Sequence, residues 1–334
     1  MQQTKSKSQT TKNSRRSKRF SPYRWSPEIC RQIKPINKSL DNWHGPLMAV
    51  EDYLIIIATI LASVWLWKHS IMPLSLASYL LANLIIGARI RGLRLLLHSA
   101  SHSSLAKNKH WNYLLGTLFS GWLTLESLSG YNHTHNSLSE GHHLNLGTEG
   151  DEDHKSVVSQ GLYDPSKGGK QVIIHLLTLP LQTTKYLRFM VKNRILNANE
   201  SKQERCLRIT FYLLSISILW YCGWGHILLL YWIIPLLTTA TYIGLFIQIA
   251  EHYPLIEKAT TPNQIYVSRN RDFNPVLNVL FNTHNEGYHL VHHLFPTLPF
   301  WKVKEAHHIL MCDEVYASVN QDLSFKAVIS SLTS

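Results

Sequence analysis

The sequence predicts an all-α integral membrane protein with about four transmembrane helices, paired as two hairpins, and a cytoplasmic helical cap carrying clustered histidines. Three observations lead there. The 334 residues are 45% apolar and 16% charged, ordinary averages, yet the apolar residues gather into a few long runs with the charges between them. The runs pair across short polar turns. Of the nineteen histidines, nine lie in three clusters, and these fall beside the same ends of those runs.

The chain opens on Lys5, Lys7, Lys12, Arg15, Arg16, Lys18 and Arg19 in a background of Gln, Thr and Ser. Such a segment buries too little apolar surface to fold, so residues 1–45 read as a disordered basic tail and entry segment ahead of a membrane domain at 46–310 and a C-terminal cytoplasmic tail at 311–334. A formal net charge of +12 raises nucleic acid as a partner. Concentrated in a tail next to apolar runs, that charge instead reads as a topology signal and a contact for anionic lipid head groups, with no nucleic acid expected. The tail lacks the apolar core and cleavage site of a secretory signal. Cys30, Cys206, Cys222 and Cys312 are widely spaced and suggest neither a disulfide framework nor a thiolate metal site.

Tyr53 to Trp67 is an uncharged apolar run, slightly short of the ~20 residues that cross a bilayer, with aromatic rings near its ends. Only Lys68-His69-Ser70 separates it from Ile71 to Ala88, which continues through Arg89, Arg91 and Arg94 without a breaker. The second hairpin runs from Ile209 to Tyr221, turns at Gly223-Trp224-Gly225-His226 and returns from Ile227 to Ala250, where Pro235 predicts a kink. Tyr113 to Leu125 and Val172 to Leu187 are shorter and read as interfacial or buried helices. With two hairpins, the basic tail, Lys107, Lys109, the 185–208 segment, Arg269, Arg271, Lys302 and Lys304 share one face. The excess of Lys and Arg places both termini and both large loops in the cytoplasm.

The histidines fall on that same face. His98 and His102 form an HxxxH at the end of the second run, where i and i+4 project from one side of a helix. A second cluster holds His133, His135, His142 and His143. The third, His289-Leu-Val-His292-His293, places His289 on a face with both later histidines, while the adjacent pair diverges by ~100° and can serve two metal ions. Glu251-His252 follows the fourth run directly. Nitrogen donors without cysteine suit iron, copper, nickel or zinc. So many of them, without a clear carboxylate nucleophile or base, favour redox over hydrolytic chemistry. A haem-binding membrane electron carrier is the alternative from another class, but it needs histidines facing one another across the bilayer. His110, His154, His175, His307 and His308 belong to no cluster. Asp151 and Asp153 read as braces of the second-cluster loop, Arg269 and Arg271 as solvated loop charge.

The order and spacing of these clusters resemble the membrane fatty acid desaturase family, whose signature is HxxxH, then HxxHH or HxxxHH, then HxxHH. The resemblance spans about residues 50–310. It is closest at Asn285-Glu-Gly-Tyr-His289-Leu-Val-His292-His293-Leu-Phe-Pro296-Thr-Leu-Pro299, and Glu251-His252 and the Leu-Gly-Thr-Glu-Gly-Asp151-Glu-Asp153 stretch share it. It implies a centre of two iron ions held by His98, His102, His142, His143, His252, His289, His292 and His293, with Asn285 at a position that can hold a metal-bound water. It also implies O2, electrons from a separate ferredoxin or cytochrome b5-type donor, and a fatty-acyl lipid as the substrate that loses hydrogen. Loss of two hydrogens gives a double bond, and hydroxyl rebound gives an alcohol, so a lipid or carotenoid hydroxylase is the nearest alternative. One departure stands out. The histidine that should precede His142 by three or four residues is Ser139 or Leu138 here. His135, seven residues upstream, replaces it only if the helix breaks in between, as Gly141 and Asn136-Ser137 permit; His133 is the fallback.

Overall fold

The computed structural model of the protein describes residues 20–333 apart from 140, 160, 162, 164–168, 179–186 and 189. Among these residues there are helices and turns and no strand, only an isolated bridge between Ser21 and Asn263. The basic residues from Lys5 to Arg19 lie outside the described residues.

The hydroxyl of Ser26 accepts from the Ile29 N–H, and Pro27 opens helix α1 (Pro27–Asn37) where a missing N–H costs nothing. Ile29, Ile33 and Ile36 recur at helical spacing and are buried, so part of the entry segment packs on the domain. α2 (His44–His69) and α3 (Met72–Ser101) form the first hairpin across Ser70-Ile71. α2 starts nine residues before the apolar run because its acidic step is neutralised: Asp52, fully buried, meets His284 Nε2 at 2.9 Å and Arg89 at 3.5 Å. α3 is ~45 Å long. Its first half exposes Met72, Leu74, Leu76, Leu80 and Leu81, and its second half is buried, Arg89 and Arg91 included.

Asn108 caps α4 (Lys109–Gly116), which runs on through a π turn at Thr117–Gly121 and a 3-10 turn at Trp122–Thr124. This is the Tyr113–Leu125 stretch, and it is half embedded: Leu115 and Trp122 are buried, Trp111, Tyr113 and Phe119 exposed. Three short helices follow, α5 (Leu128–Asn136), α6 (His142–Asn145) and α7 (Glu152–Ser159). α8 (Gly169–Thr178) covers the start of the Val172–Leu187 stretch, whose residues 179–186 lie outside the described residues.

The second hairpin begins with α9 (Lys202–Tyr221) and turns at Gly223, whose φ of +72° suits glycine. It returns through α10 (Gly225–Leu228), a π turn at Leu229–Ile233, α11 (Ile234–Leu237) and α12 (Thr239–His252). Pro235 sits in the first turn of α11, and the helix is interrupted on both sides of it, by the π turn and at Thr238 (φ −112°, ψ −91°). α3 and α12 approach closely at Gly87, where a Cβ would lie 2.0 Å from Thr239 Oγ1. Beside it the Asn83 side chain accepts from the Thr238 and Thr239 hydroxyls at 3.3 and 3.0 Å.

Among the described residues two helices, His44–His69 and Gly225–Lys258, are long and apolar enough to cross a membrane, against the four spans expected. α3 carries Arg89, Arg91 and Arg94 in its second half, and the first two turns of α9 hold Lys202, Glu204, Arg205 and Arg208. α13 (Pro275–Phe281), α14 (His289–Leu294) and α15 (Val303–Leu310) complete the histidine-bearing end. Two last helices, Glu314–Ser318 and Phe325–Thr333, bury Tyr316, Val328 and Leu332, so the C-terminal stretch is folded onto the domain.

Gly87→Val should overpack the α3–α12 crossing and cost about 1–3 kcal/mol. A clear fall in thermal unfolding temperature in detergent is expected, and an unchanged temperature would contradict the crossing.

Candidate metal centre

Four helix ends and one short helix deliver nine imidazoles to one place. His98 lies in the last turn of α3 and His102 caps it; His135 lies in the last turn of α5; His142 and His143 open α6; His252 ends α12; His289, His292 and His293 line α14. The nine sort into two nests. In one, ligand-capable atoms of His98, His102, His135, His143 and His292 lie within 4.8 Å of one another; in the other, those of His142, His252, His289 and His293 do. The adjacent pairs divide between the nests, His143 and His292 to the first, His142 and His293 to the second, as neighbours ~100° apart on a helix must.

The second cluster resolves as a broken helix. α5 stops at Asn136, and Gly141 stands immediately before α6, so close to the preceding turn that a Cβ there would lie 2.4 Å from the Ser137 carbonyl oxygen. The break folds His135 Nε2 back to 3.0 Å from His143 Nε2 and 2.8 Å from His98 Nε2. His135 is in the first nest, and His133 is in neither.

The ring nitrogens test whether a metal fits. His292 Nε2 faces His143 Nε2 at 3.1 Å, and His252 Nε2 faces those of His142 and His289 at 3.1 and 3.0 Å. Metal–nitrogen bonds of about 2.1 Å at right angles put neighbouring nitrogens about 3 Å apart. Groups behind the rings fix the tautomers. His142 Nδ1 is 3.0 Å from Asp151 Oδ1, His252 Nδ1 is 3.0 Å from the Val267 carbonyl oxygen, and His289 Nδ1 is 3.3 Å from Glu251 Oε1. These oxygens accept, so Nδ1 carries the proton and Nε2 turns its lone pair inward. Lone pairs at 3 Å repel unless a cation lies between them. His102 Nε2 and His293 Nε2 are buried with no hydrogen-bond partner. The donor set therefore fits two metal ions, one per nest.

Burial, reinforced by neighbouring imidazoles, pushes His135, His143, His289, His292 and His293 well below the usual histidine range, and His102 down to about 4. They are neutral near pH 7, the state that binds metal. His142 differs. Burial opposes its charged form, but Asp151 and then Asp153 outweigh that and hold it up at about 9. Asp151 also accepts from the N–H groups of Gly147, Asp153 and His154, so it braces the loop as expected.

A ring of buried ion pairs holds the nests. Arg271 is completely buried and donates to Glu251 at 2.7 Å; Arg269 is partly buried and donates to the Tyr253 carbonyl oxygen. This corrects the expectation of solvated loop charge: Arg271 is needed where Glu251 would otherwise be a lone buried carboxylate. Arg91 pairs with Glu286. Glu204, the third residue of α9, accepts from the Leu128 and Ser129 N–H groups and the Trp122 indole, fixing the start of α5. Asn285 stands elsewhere. Its amide donates to the Phe300 carbonyl oxygen and it lines a separate cavity of about 400 Å³ with Arg89 and Trp301. His110, His154, His175, His307 and His308 lie outside both nests.

A larger cavity of about 470 Å³ reaches His98 and His135 of the first nest and His142, His252 and His289 of the second. Its wall includes Arg91, Arg94, Glu126, Asp153, Arg194 and Glu286. Arg91 and Arg94 precede His98 by seven and four residues, a shared helical face that was legible in the sequence; Glu126 and Arg194 carried no such signal.

Comparison with known proteins places these residues among relatives. Residues 74–321 match the family described as Fatty acid desaturase. The chain is 35% identical over 319 residues to the dihydrorhizobitoxine desaturase of Bradyrhizobium elkanii, a match covering 91% of this chain and 85% of the relative.

Two outcomes test the nests. Asp151→Asn should weaken metal binding by about 10–100-fold, read by chelator competition and metal content per chain. Because His142 holds a proton up to about pH 9, metal entering its nest must expel it, so affinity should rise by as much as about tenfold per pH unit between pH 7 and 9. Calorimetry in buffers of different ionisation enthalpy measures that proton; an affinity flat across this range would contradict the arrangement.

Proposed function

Since the chain belongs to the fatty acid desaturase family, we propose that it is a membrane-bound, O2-dependent desaturase whose two nests each hold one iron ion. The observation that carries this reading is the sorting of nine imidazoles into two sets whose ring nitrogens lie within 4.8 Å of one another. The ligands are His98, His102, His135, His143 and His292 for one ion and His142, His252, His289 and His293 for the other. What bound iron supplies is the hydrogen-abstracting power needed at an unactivated carbon, using O2 and two electrons.

The chain's own residues do the positioning. Asp151, the Val267 carbonyl and Glu251 fix ring orientation, and the ion pair of Glu251 with Arg271 keeps that carboxylate from reaching inward unpaired. Burial of the nests excludes bulk water, which protects the reaction from side products. Electrons come from a separate donor, a ferredoxin or cytochrome b5-like protein. A fatty-acyl chain is the first candidate substrate from the family's name, and dihydrorhizobitoxine, for which the relative is named, is a second.

The membrane placement follows the same logic. Exposed apolar side chains lie on all four hairpin arms: Leu54, Ile57 and Leu61 on α2; Leu76 and Leu80 on α3; Leu213, Leu214 and Ile218 on α9; Leu229 and Leu230 on the return. Four spans with the histidines and both termini in the cytoplasm bury these faces in lipid and leave the nests just beneath it.

Expressed in a host that supplies both donor types, the protein should retain two iron ions per chain and yield a product lighter by two hydrogens in a mass-spectrometric profile of lipids and polar metabolites. His292→Ala should abolish that product and reduce bound iron; survival of the product in this variant would remove the first nest from the reaction.

A further inference from the structure

Resting on the desaturase reading above, we infer that the 470 Å³ cavity binds a small polar substrate carrying both an anionic and an ammonium group, the anion seated on Arg94 and Arg194 and the ammonium on Asp153.

The charge pattern of the wall carries this. Arg94 donates to Glu126 at 2.7 and 3.2 Å, and Arg194 meets the same carboxylate at 3.2 Å. Two guanidiniums share one carboxylate, so one positive charge is left over on the cavity side. Both are partly accessible, with side chains 24% and 17% exposed. Asp153 is the converse. Its carboxylate is 46% exposed, and its ion-pair contact among the described residues is His142, at 3.7 Å. Asp151 holds that ring more closely, at 3.0 Å, so the Asp153 carboxylate stands on the wall of the same cavity without a close cationic partner among the described residues. One molecule with both signs satisfies both surpluses. An acyl chain satisfies neither, and it would strip water from these groups with nothing in return. The apolar part of the wall is formed by Ile90, Leu196, Ala198, Leu236, Ala240 and Leu245, beside the charged groups.

Geometry limits the size of the molecule. Arg94 and His98 are one turn apart on the same face of α3, about 6 Å along the axis. Tyr131 keeps Arg94 in place, with the guanidinium carbon 5.3 Å from the ring centre, and the same tyrosine stacks on His135 at 5.0 Å. An anion held by Arg94 thus lies close to the first nest, and the carbon that reacts is only a few bonds from it. A mid-chain position of a long acyl chain cannot meet that spacing with its charged end in this cavity.

Equilibrium dialysis of the iron-loaded, detergent-solubilised chain tests this without relying on turnover. The probes are radiolabelled 2-aminohexanoate, hexanoate, hexyl phosphate and oleate. The expected result is that 2-aminohexanoate binds about tenfold or more tightly than the other three. Arg194→Gln should weaken it by a similar factor, with partial recovery in Arg194→Lys, and Asp153→Asn should weaken it while leaving hexanoate unchanged. Tighter binding of oleate or of hexyl phosphate would overturn the inference in favour of an acyl chain or a phosphate head group, and so would indifference of 2-aminohexanoate to Arg194→Gln. Iron content is measured in parallel. Two ions per chain without the probe preference removes this inference alone, whereas the preference in a chain that takes up no iron removes the desaturase reading and leaves the binding assignment standing.

Discussion

Imidazole nitrogens that face one another at about 3 Å inside a protein need something positive between them. In water the conflict is relieved by protonation or by rotating the ring. Here neither escape is open to most of the nine: burial disfavours the charged form, and oxygens behind the rings hold several of them in place. The repulsion is built into the fold and is released by a cation. That single requirement explains why the histidines come from helix ends of widely separated sequence and why each nest is enclosed. A metal binds such a site with free energy that also counts toward folding, so the helix ends are drawn together by what they hold.

The supporting electrostatics follow from the same enclosure. Carboxylates are needed near the rings to orient them, yet an unpaired buried carboxylate costs several kcal/mol. The chain answers with arginines placed one residue shell further out: Arg271 for Glu251, Arg91 for Glu286, Arg94 and Arg194 for Glu126. Three of these pairs border the larger cavity, so charges that serve the architecture also define what the cavity can accept. A site with this wall discriminates by polarity before it discriminates by length.

Much of this was legible in the sequence for identifiable reasons. HxxxH and HxxHH carry their geometry with them, because helical periodicity alone sets which rings share a face; the division of His292 and His293 between two nests follows from it. The hairpins were legible because short turns between apolar runs leave few alternatives. His135 was harder. Its place depends on a break between Asn136 and His142 that Gly141 permits but that periodicity cannot locate. Arg271 was misread as solvent-exposed because its partner, Glu251, is twenty residues away and invisible to local pattern. Asp52 likewise concealed the true start of α2, since the ring that neutralises it, His284, lies far along the chain. Burial of charge is a property of the assembled fold, and single-chain patterning does not encode it.

α3 joins the outward-facing hairpin and the metal nests in one rigid body. Its first half turns apolar side chains outward and it locks to α12 through Asn83 and Gly87; its second half presents Arg91, Arg94, His98 and His102 in a line. Adding or deleting one residue between Asn83 and Arg91 would rotate that whole line by ~100° and shift it ~1.5 Å, unseating the cavity wall and the nest together. The length of this segment is therefore frozen. Substitutions along it can drift, but natural insertions and deletions must be confined to the connecting turns.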